Sequence, residues 1–241
     1  MVSAMPVHSF PTPLARNFSL AAAAAVSLSM GCGVGSAQME QDNRLVVPGV
    51  GMGPVTADVS HDQLVKILGE DQVTDAEIYL AEGFCTSGTV VFPNTPDLVE
   101  IIWTDSNRTA VASIVHRGVE AEETAWRTAE GIGIGTTLTE LEELNGAPFT
   151  FGGLGWDYGG GLSAHNFSPG GLTQALEGLS FLVSETYGTE SDWHRDPRSN
   201  EIYGDRTVRS DHPIARQAGI RITQMLMTFG PFDPSAEFEC E

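Results

Sequence analysis

Lysine occurs once in this chain of 241 residues, at Lys66. All basic residues together number 12, against 32 Asp and Glu, and the formal net charge is −20. So little positive charge excludes nucleic acid as a natural partner, because phosphates are repelled rather than neutralised. An anionic membrane surface is excluded on the same ground. Cysteine is scarce, 3 in all, and no CxxC pair is present, which argues against a structural zinc site. HExxH, the EF-hand loop and a G-x-S-x-G elbow are also missing, so zincin, calcium-loop and α/β-hydrolase chemistry have no signature here. Apolar residues make up 41% of the chain, with 27 Gly and 13 Pro. That suits one globular domain or two small ones, not a disordered or collagen-like chain.

What is present begins with an address. Arg16 is the only charged side chain before Glu40, and the run Phe18–Met30 is uncharged. The run is shorter than the ~20 residues of a membrane span. A basic flank, a short apolar core and small residues after it predict a signal peptide over 1–31. Ser29-Met30-Gly31-Cys32 resembles the lipobox of bacterial lipoproteins, which implies lipidation of Cys32. A rival cut follows Gly35-Ser36-Ala37. Residues 32–44 are polar and Gly/Gln-rich, as a flexible tether is. Cleavage before Cys32 takes Arg16 away and leaves 11 basic against 32 acidic residues, a net charge of −21. The expected location is the periplasm or the cell surface, at an outer membrane, with the membrane touched only through the lipid.

With Cys32 lipidated or removed, Cys85 and Cys240 remain. In an oxidising compartment they form one disulfide, or else stay as two free thiols. A bridge over so long a loop is worth about 3–5 kcal/mol on the chain-entropy argument.

The chain also echoes itself. Ser60-His-Asp-Gln63-Leu64-Val-Lys-Ile67-Leu-Gly69 aligns with Thr137-Leu-Thr-Glu140-Leu141-Glu-Glu-Leu144-Asn-Gly146. Each copy reads as a capping box, a short helix with an apolar i, i+3 pair, and a glycine stop. Strand-like runs follow each: 77–81, 89–92, 98–104 and 109–115 after the first, then 148–151, 155–158, 179–184 and 220–229 after the second. The expected fold is therefore α+β, with two helix plus antiparallel β-meander units in tandem, over 45–130 and 131–241. A polar stretch over 187–211 reads as a long loop in the second unit.

The segment Ile134-Gly135-Thr136-Thr137-Leu138-x-x-Leu141-x-x-Leu144-Asn145-Gly146-x-Pro148 is similar to the signature of the BamE (SmpA/OmlA) outer-membrane lipoproteins. The doubled arrangement resembles that of β-lactamase inhibitor proteins. These resemblances imply a shared structural unit and bring no binding residues with them. Gly155-Trp156-Asp157-Tyr158-Gly159-Gly160 also looks like a motif of uncharacterised exported bacterial proteins.

Several residues remain as candidate chemistry. In Gly131-Ile-Gly133-Ile-Gly135 the third glycine is misplaced for a dinucleotide loop and no phosphate-loop lysine follows, so it reads as the entry to the second helix, and no cofactor is expected. Trp156 and Tyr158 share a strand face with Asp157 opposite, as a sugar-stacking or protein-contact surface or as core aromatics. Trp193 and His194 sit among Asp192, Asp196, Asp205, Asp211 and His212 in the long loop, as a binding cluster or as a solvated loop, with no metal expected. Ser163 and His165 are close in sequence without implying a catalytic triad. Glu142 and Glu143 are expected on the solvated face of the second helix.

The leading expectation is a non-catalytic exported envelope protein, lipid-anchored, acting as a protein-interaction or scaffold module with an unidentified envelope partner. The alternative is an envelope hydrolase or carbohydrate-binding protein using Trp156, Asp157, Tyr158 and the 192–212 loop. A secreted enzyme inhibitor shares the architecture of the first.

Overall fold

The computed structural model describes residues 44–118, 123–156, 159–185, 197–233 and 237–240. Cys32, Asp157, Tyr158, Trp193 and His194 lie outside the described residues, as do the leader and all but Arg44 of the expected tether. The fold is mixed α and β, and its sheets are antiparallel.

Both capping boxes form. Ser60 accepts from the Gln63 N–H while the Gln63 side chain accepts from the Ser60 N–H, and this starts α1 (His61–Leu68). Thr137 and Glu140 do the same for α2 (Leu138–Asn145). The backbone bond from Thr137, and then its hydroxyl, hold the Glu140 carboxyl below its usual value. The stops differ. Gly146 takes the left-handed cap at φ 74°, ψ 6°, whereas Gly69 pairs φ 91° with an extended ψ of 154°.

The inward faces are not those the i, i+3 pairs predict. Leu64 and Leu141 are fully buried, but Ile67 is 61% and Leu144 45% exposed. In α2 the buried stripe is Leu138, Leu141 and Asn145, and Leu144 stands roughly a quarter turn away from it. Asn145 is inside because its amide is fully used. It donates to the carbonyls of Ala147 and Phe167 and accepts from the Leu172 N–H. That bond anchors the start of α3 (Leu172–Ala175). Glu142 is also not solvated: its carboxylate is mostly covered and pairs with Arg216 at 2.6 Å, from α4 (Pro213–Gln217). Glu143 is exposed, as expected.

A small sheet joins β1 (Val46–Val47), β2 (Gly51–Met52) and β3 (Val55–Thr56). Among the described residues the main sheet has eight strands. Across it run β4 (Val73–Tyr79), β5 (Phe84–Val91), β6 (Val99–Trp103), β7 (Val111–Arg117), β12 (Arg221–Thr228), β10 (Ser180–Ser184) and β9 (Gly161–Ser163). The centre is the β7–β12 pair, so the early and late halves of the chain share one sheet. β5 has β4 along one edge; its other edge is shared by β6 and the terminal β13 (Glu237–Glu239). Cys85 is inside β5 and is joined to Cys240 by a disulfide that pins the tail beside the sheet. β8 (Thr150–Gly152) pairs with β11 (Thr207–Arg209). The expected strand over 155–158 is a bend at Gly155–Trp156 among the described residues, and the expected loop over 187–211 contains β11 and a 3-10 turn, Ser199–Ile202.

One sheet face is packed. Ile101, Ile114, Met225, Met227 and Phe181 share a core with Leu64, Leu138 and Leu141 of the helices. The opposite face carries the in-register row Glu100–Val115–Leu226–Ser180–Ser163, one residue from each of five strands. No helix among the described residues is long and apolar enough to cross a membrane.

Candidate functional site

The face opposite the helices holds two hollows that share Leu226. The first, of about 370 Å³, lies toward β4 and β5. Tyr79, Leu80, Phe84, Ile102 and Phe232 give it apolar walls, and Arg117 and Gln224 its polar floor. Arg117 spans three strands. It donates to Glu100 at 2.9 Å, to the Gln224 side chain at 2.6 Å and to the Tyr79 carbonyl at 2.9 Å. Burial raises the Glu100 carboxyl above its usual value, and the Arg117 charge and hydrogen bond only partly offset that. The pair sits on the open face as a half-covered polar bridge.

The second hollow, of about 530 Å³, lies over β9, β10 and β12. Glycine makes its wall. A Cβ on Gly153 would lie 2.3 Å from the Gly204 carbonyl oxygen, and one on Gly160 would lie 2.0 Å from that of Val183. Gly155 has φ +79° and packs on Tyr203, whose hydroxyl donates to Glu185. These contacts bind Gly153 and Gly155 to the 202–206 loop and Gly160 to β10. The result is to hold Trp156 outward, 43% exposed, with its indole N–H donating to the Gly153 carbonyl at 2.9 Å.

Facing it are Ser163, His165 and Asn166. The Ser163 hydroxyl lies 2.9 Å from both His165 Nδ1 and Asn166 Oδ1, and the Ser163 N–H donates to that same Oδ1. Asp205 and Arg206, both exposed, complete the rim. Ser163 and His165 are thus a real hydrogen-bonded pair. Among the described residues, no carboxylate stands on the second nitrogen of His165 to orient it as a base, and a triad is not assembled.

The described members of the acid–histidine cluster, Asp205, Asp211 and His212, have separate partners. Asp205 joins the hollow. Asp211 is held by both guanidinium nitrogens of Arg209, whose hydrogen bonds keep its carboxyl below the ordinary value. His212 caps α4, accepting from the Ile214 N–H while its other nitrogen meets Glu201 at 3.0 Å. Among the described residues the potential metal ligands that group together are Glu77, Cys85 and Cys240, and the disulfide uses both sulfurs.

The Gly131–Gly135 segment is structural. A Cβ on Gly133 would meet the Trp126 carbonyl oxygen at 2.4 Å, and the Gly135 N–H donates to Ile222.

The sequence reading missed Glu100, Arg117 and Gln224. Glu100 and Gln224 fall inside the strand runs 98–104 and 220–229 and Arg117 just past the run 109–115, and alternation brings them to one face only once register is known. It also missed Asp205 and Arg206 as neighbours of Ser163, some forty residues away in the chain. The chain matches no protein-family model, no curated protein and no solved structure.

Proposed function

We propose that this chain is a non-catalytic exported envelope protein, anchored by a lipid on Cys32, whose open sheet face docks another protein. The observation that carries this reading is the sheet's asymmetry: helices cover one face, while the other offers a mixed apolar and polar surface running across five strands. Such a surface, with two hollows for partner side chains and a polar bridge at Arg117, suits protein recognition.

The same reading includes tandem construction. In each half a capped helix precedes a strand at the sheet centre, β7 for one and β12 for the other, with β1–β3 ahead of the first helix and β13 following β12. Outward from that centre run β6, β5 and β4 on one side and β10 and β9 on the other. A duplicated helix-and-meander unit accounts for that order.

Two measurements test the proposal. A photo-reactive residue in place of Gln224, on the open face, captures an envelope partner in native membranes, whereas one in place of Lys66, on α1, does not. Equal capture from both, or none from either, overturns docking on this face. Intact mass of the mature protein gives a lipid-modified chain starting at Cys32. An unmodified chain starting at Gln38 overturns the anchor.

A further inference from the structure

We infer that the hollow bounded by Trp156 and the Asp205–Arg206 loop is a binding site for an uncharged saccharide. Four observations converge on that ligand class.

The first is the plate. Trp156 is outward, yet its indole N–H is tied to Gly153 and its turn is packed to Val183 and Tyr203 through glycines. A flat, half-exposed aromatic surface held in one place stacks on the C–H face of a sugar ring at little ordering cost. The second is the opposing polar group. Ser163, His165 and Asn166 offer a hydroxyl, an imidazole and an amide from one short segment, the donor and acceptor mixture that ring hydroxyls need. The third is the floor, where Ser180 stands in register between Ser163 and Leu226. A wholly apolar ligand would strip water from those hydroxyls without replacing their bonds.

The fourth is charge. Asp205 and Arg206 sit side by side on the rim, so the site has no net sign of its own. The chain around it carries −20, which repels an anionic ligand. A volume of about 530 Å³ falls within the range of small-molecule sites and accommodates a short saccharide. The site is the β9 end of the same open face, so failure of the saccharide leaves docking at the Arg117 hollow standing.

The test uses the full-length protein and three probes, chitotriose, maltotriose and the anionic trigalacturonate, titrated calorimetrically. At least one neutral trisaccharide binds with a Kd below about 10 mM. Trp156→Ala weakens that binding about tenfold or more, Trp156→Phe restores part of it, and Asp205→Asn weakens it, with the melting temperature of each variant showing that it is folded. Three results overturn the inference: no saturation with either neutral probe, neutral binding that Trp156→Ala leaves unchanged, or trigalacturonate binding as tightly as the neutral probes.

Discussion

Two tryptophans with the same hydrogen bond serve different purposes in this molecule. The Trp126 indole N–H donates to the Asp97 carbonyl at 2.9 Å, and that of Trp156 to the Gly153 carbonyl at the same distance. Trp126 is fully buried. It lies against Phe92 and His116, and the Arg44 guanidinium, seated on Phe92, is 5.1 Å from its ring. Trp156 is 43% exposed on a glycine turn. The N–H bond alone therefore says nothing about role. What differs is the side-chain company: bulky neighbours enclose one ring, while the other stands half-exposed beside glycines. Bulk makes a core and its absence makes a surface plate.

The sharpest way to break that contrast is to remove the buried ring. Trp126→Ala is expected to cost about 3–5 kcal/mol, through lost burial plus the cavity left among Phe92, His116 and the strands. Urea unfolding measures it. A loss below about 1 kcal/mol would mean that the Trp126 region is no core at all.

Asp97 ranks next, because it organises the same corner. Its carboxylate takes Arg44 at 2.7 Å and the Ala125 N–H at 2.7 Å, while its backbone carbonyl takes Trp126. Burial works to raise its pKa, but the bonds from Arg44, Ala125 and Thr124 together prevail and hold it below its usual value of 3.8. Asp97→Ala should cost about 1.5–3 kcal/mol, leaving Arg44 and an amide without their acceptor. A carboxyl whose folded pKa is depressed stabilises above its unfolded pKa. That contribution is present above about pH 4 and fades as pH falls further. Melting temperatures between pH 5 and pH 3 should fall more steeply for the parent protein than for Asp97→Ala.

A smaller effect comes from His116, which is fully buried between the Leu98 carbonyl at 2.8 Å and Thr124 Oγ1 at 3.0 Å. Burial is the main cause that depresses its pKa below the usual 6.5, against the raising influence of the Leu98 bond and the Asp97 charge. The folded protein therefore takes up this proton at a lower pH than the unfolded chain, which does so near 6.5. Stability is full above that pH and declines as pH falls through it. The drop in melting temperature from pH 7.5 to pH 5.5 should shrink in His116→Gln, which replaces the imidazole with a group that does not titrate. An unchanged drop would place the titration elsewhere.

The two corners were unequally legible in the sequence, and for physical reasons. The capping boxes at Ser60 and Thr137 and the left-handed Gly146 depend on a few consecutive residues, so local chemistry announces them. The buried faces of α1 and α2 do not, because Ile67 and Leu144 carry the right side chain at a defensible spacing and only the packing of neighbouring elements turns them outward. Trp126 drew no notice because its partners Asp97, Phe92 and His116 come from three other segments. Trp156 was noticed for its glycines, but Asp205 and Arg206 reach it by way of a β8–β11 pairing that no local pattern reveals. The Glu100–Arg117–Gln224 bridge needs the register of three strands, and a slip of one residue would send each of them into the core.

The smallest predicted stability effect is the most discriminating, since it falls on the exposed member of the pair. Trp156→Ala removes a half-exposed ring and its bond to Gly153, yet the turn it sits on is held by backbone. The Gly159 N–H donates to the Trp156 carbonyl at 2.8 Å, the Leu154 N–H to Ile202 at 2.8 Å and the Gly204 N–H to Leu154 at 2.9 Å, and none of these involves the indole. The expected loss is under about 1 kcal/mol, in the ordinary range for surface substitutions. Replacing its glycine neighbour should cost more than replacing the tryptophan itself. Gly160→Ala forces a Cβ into the Val183 backbone at a φ of +75°, so strain and collision act together. If denaturant unfolding instead ranks Trp156→Ala above Gly160→Ala, the ring is a packing element of the 152–161 turn and the surface-plate reading of this corner fails.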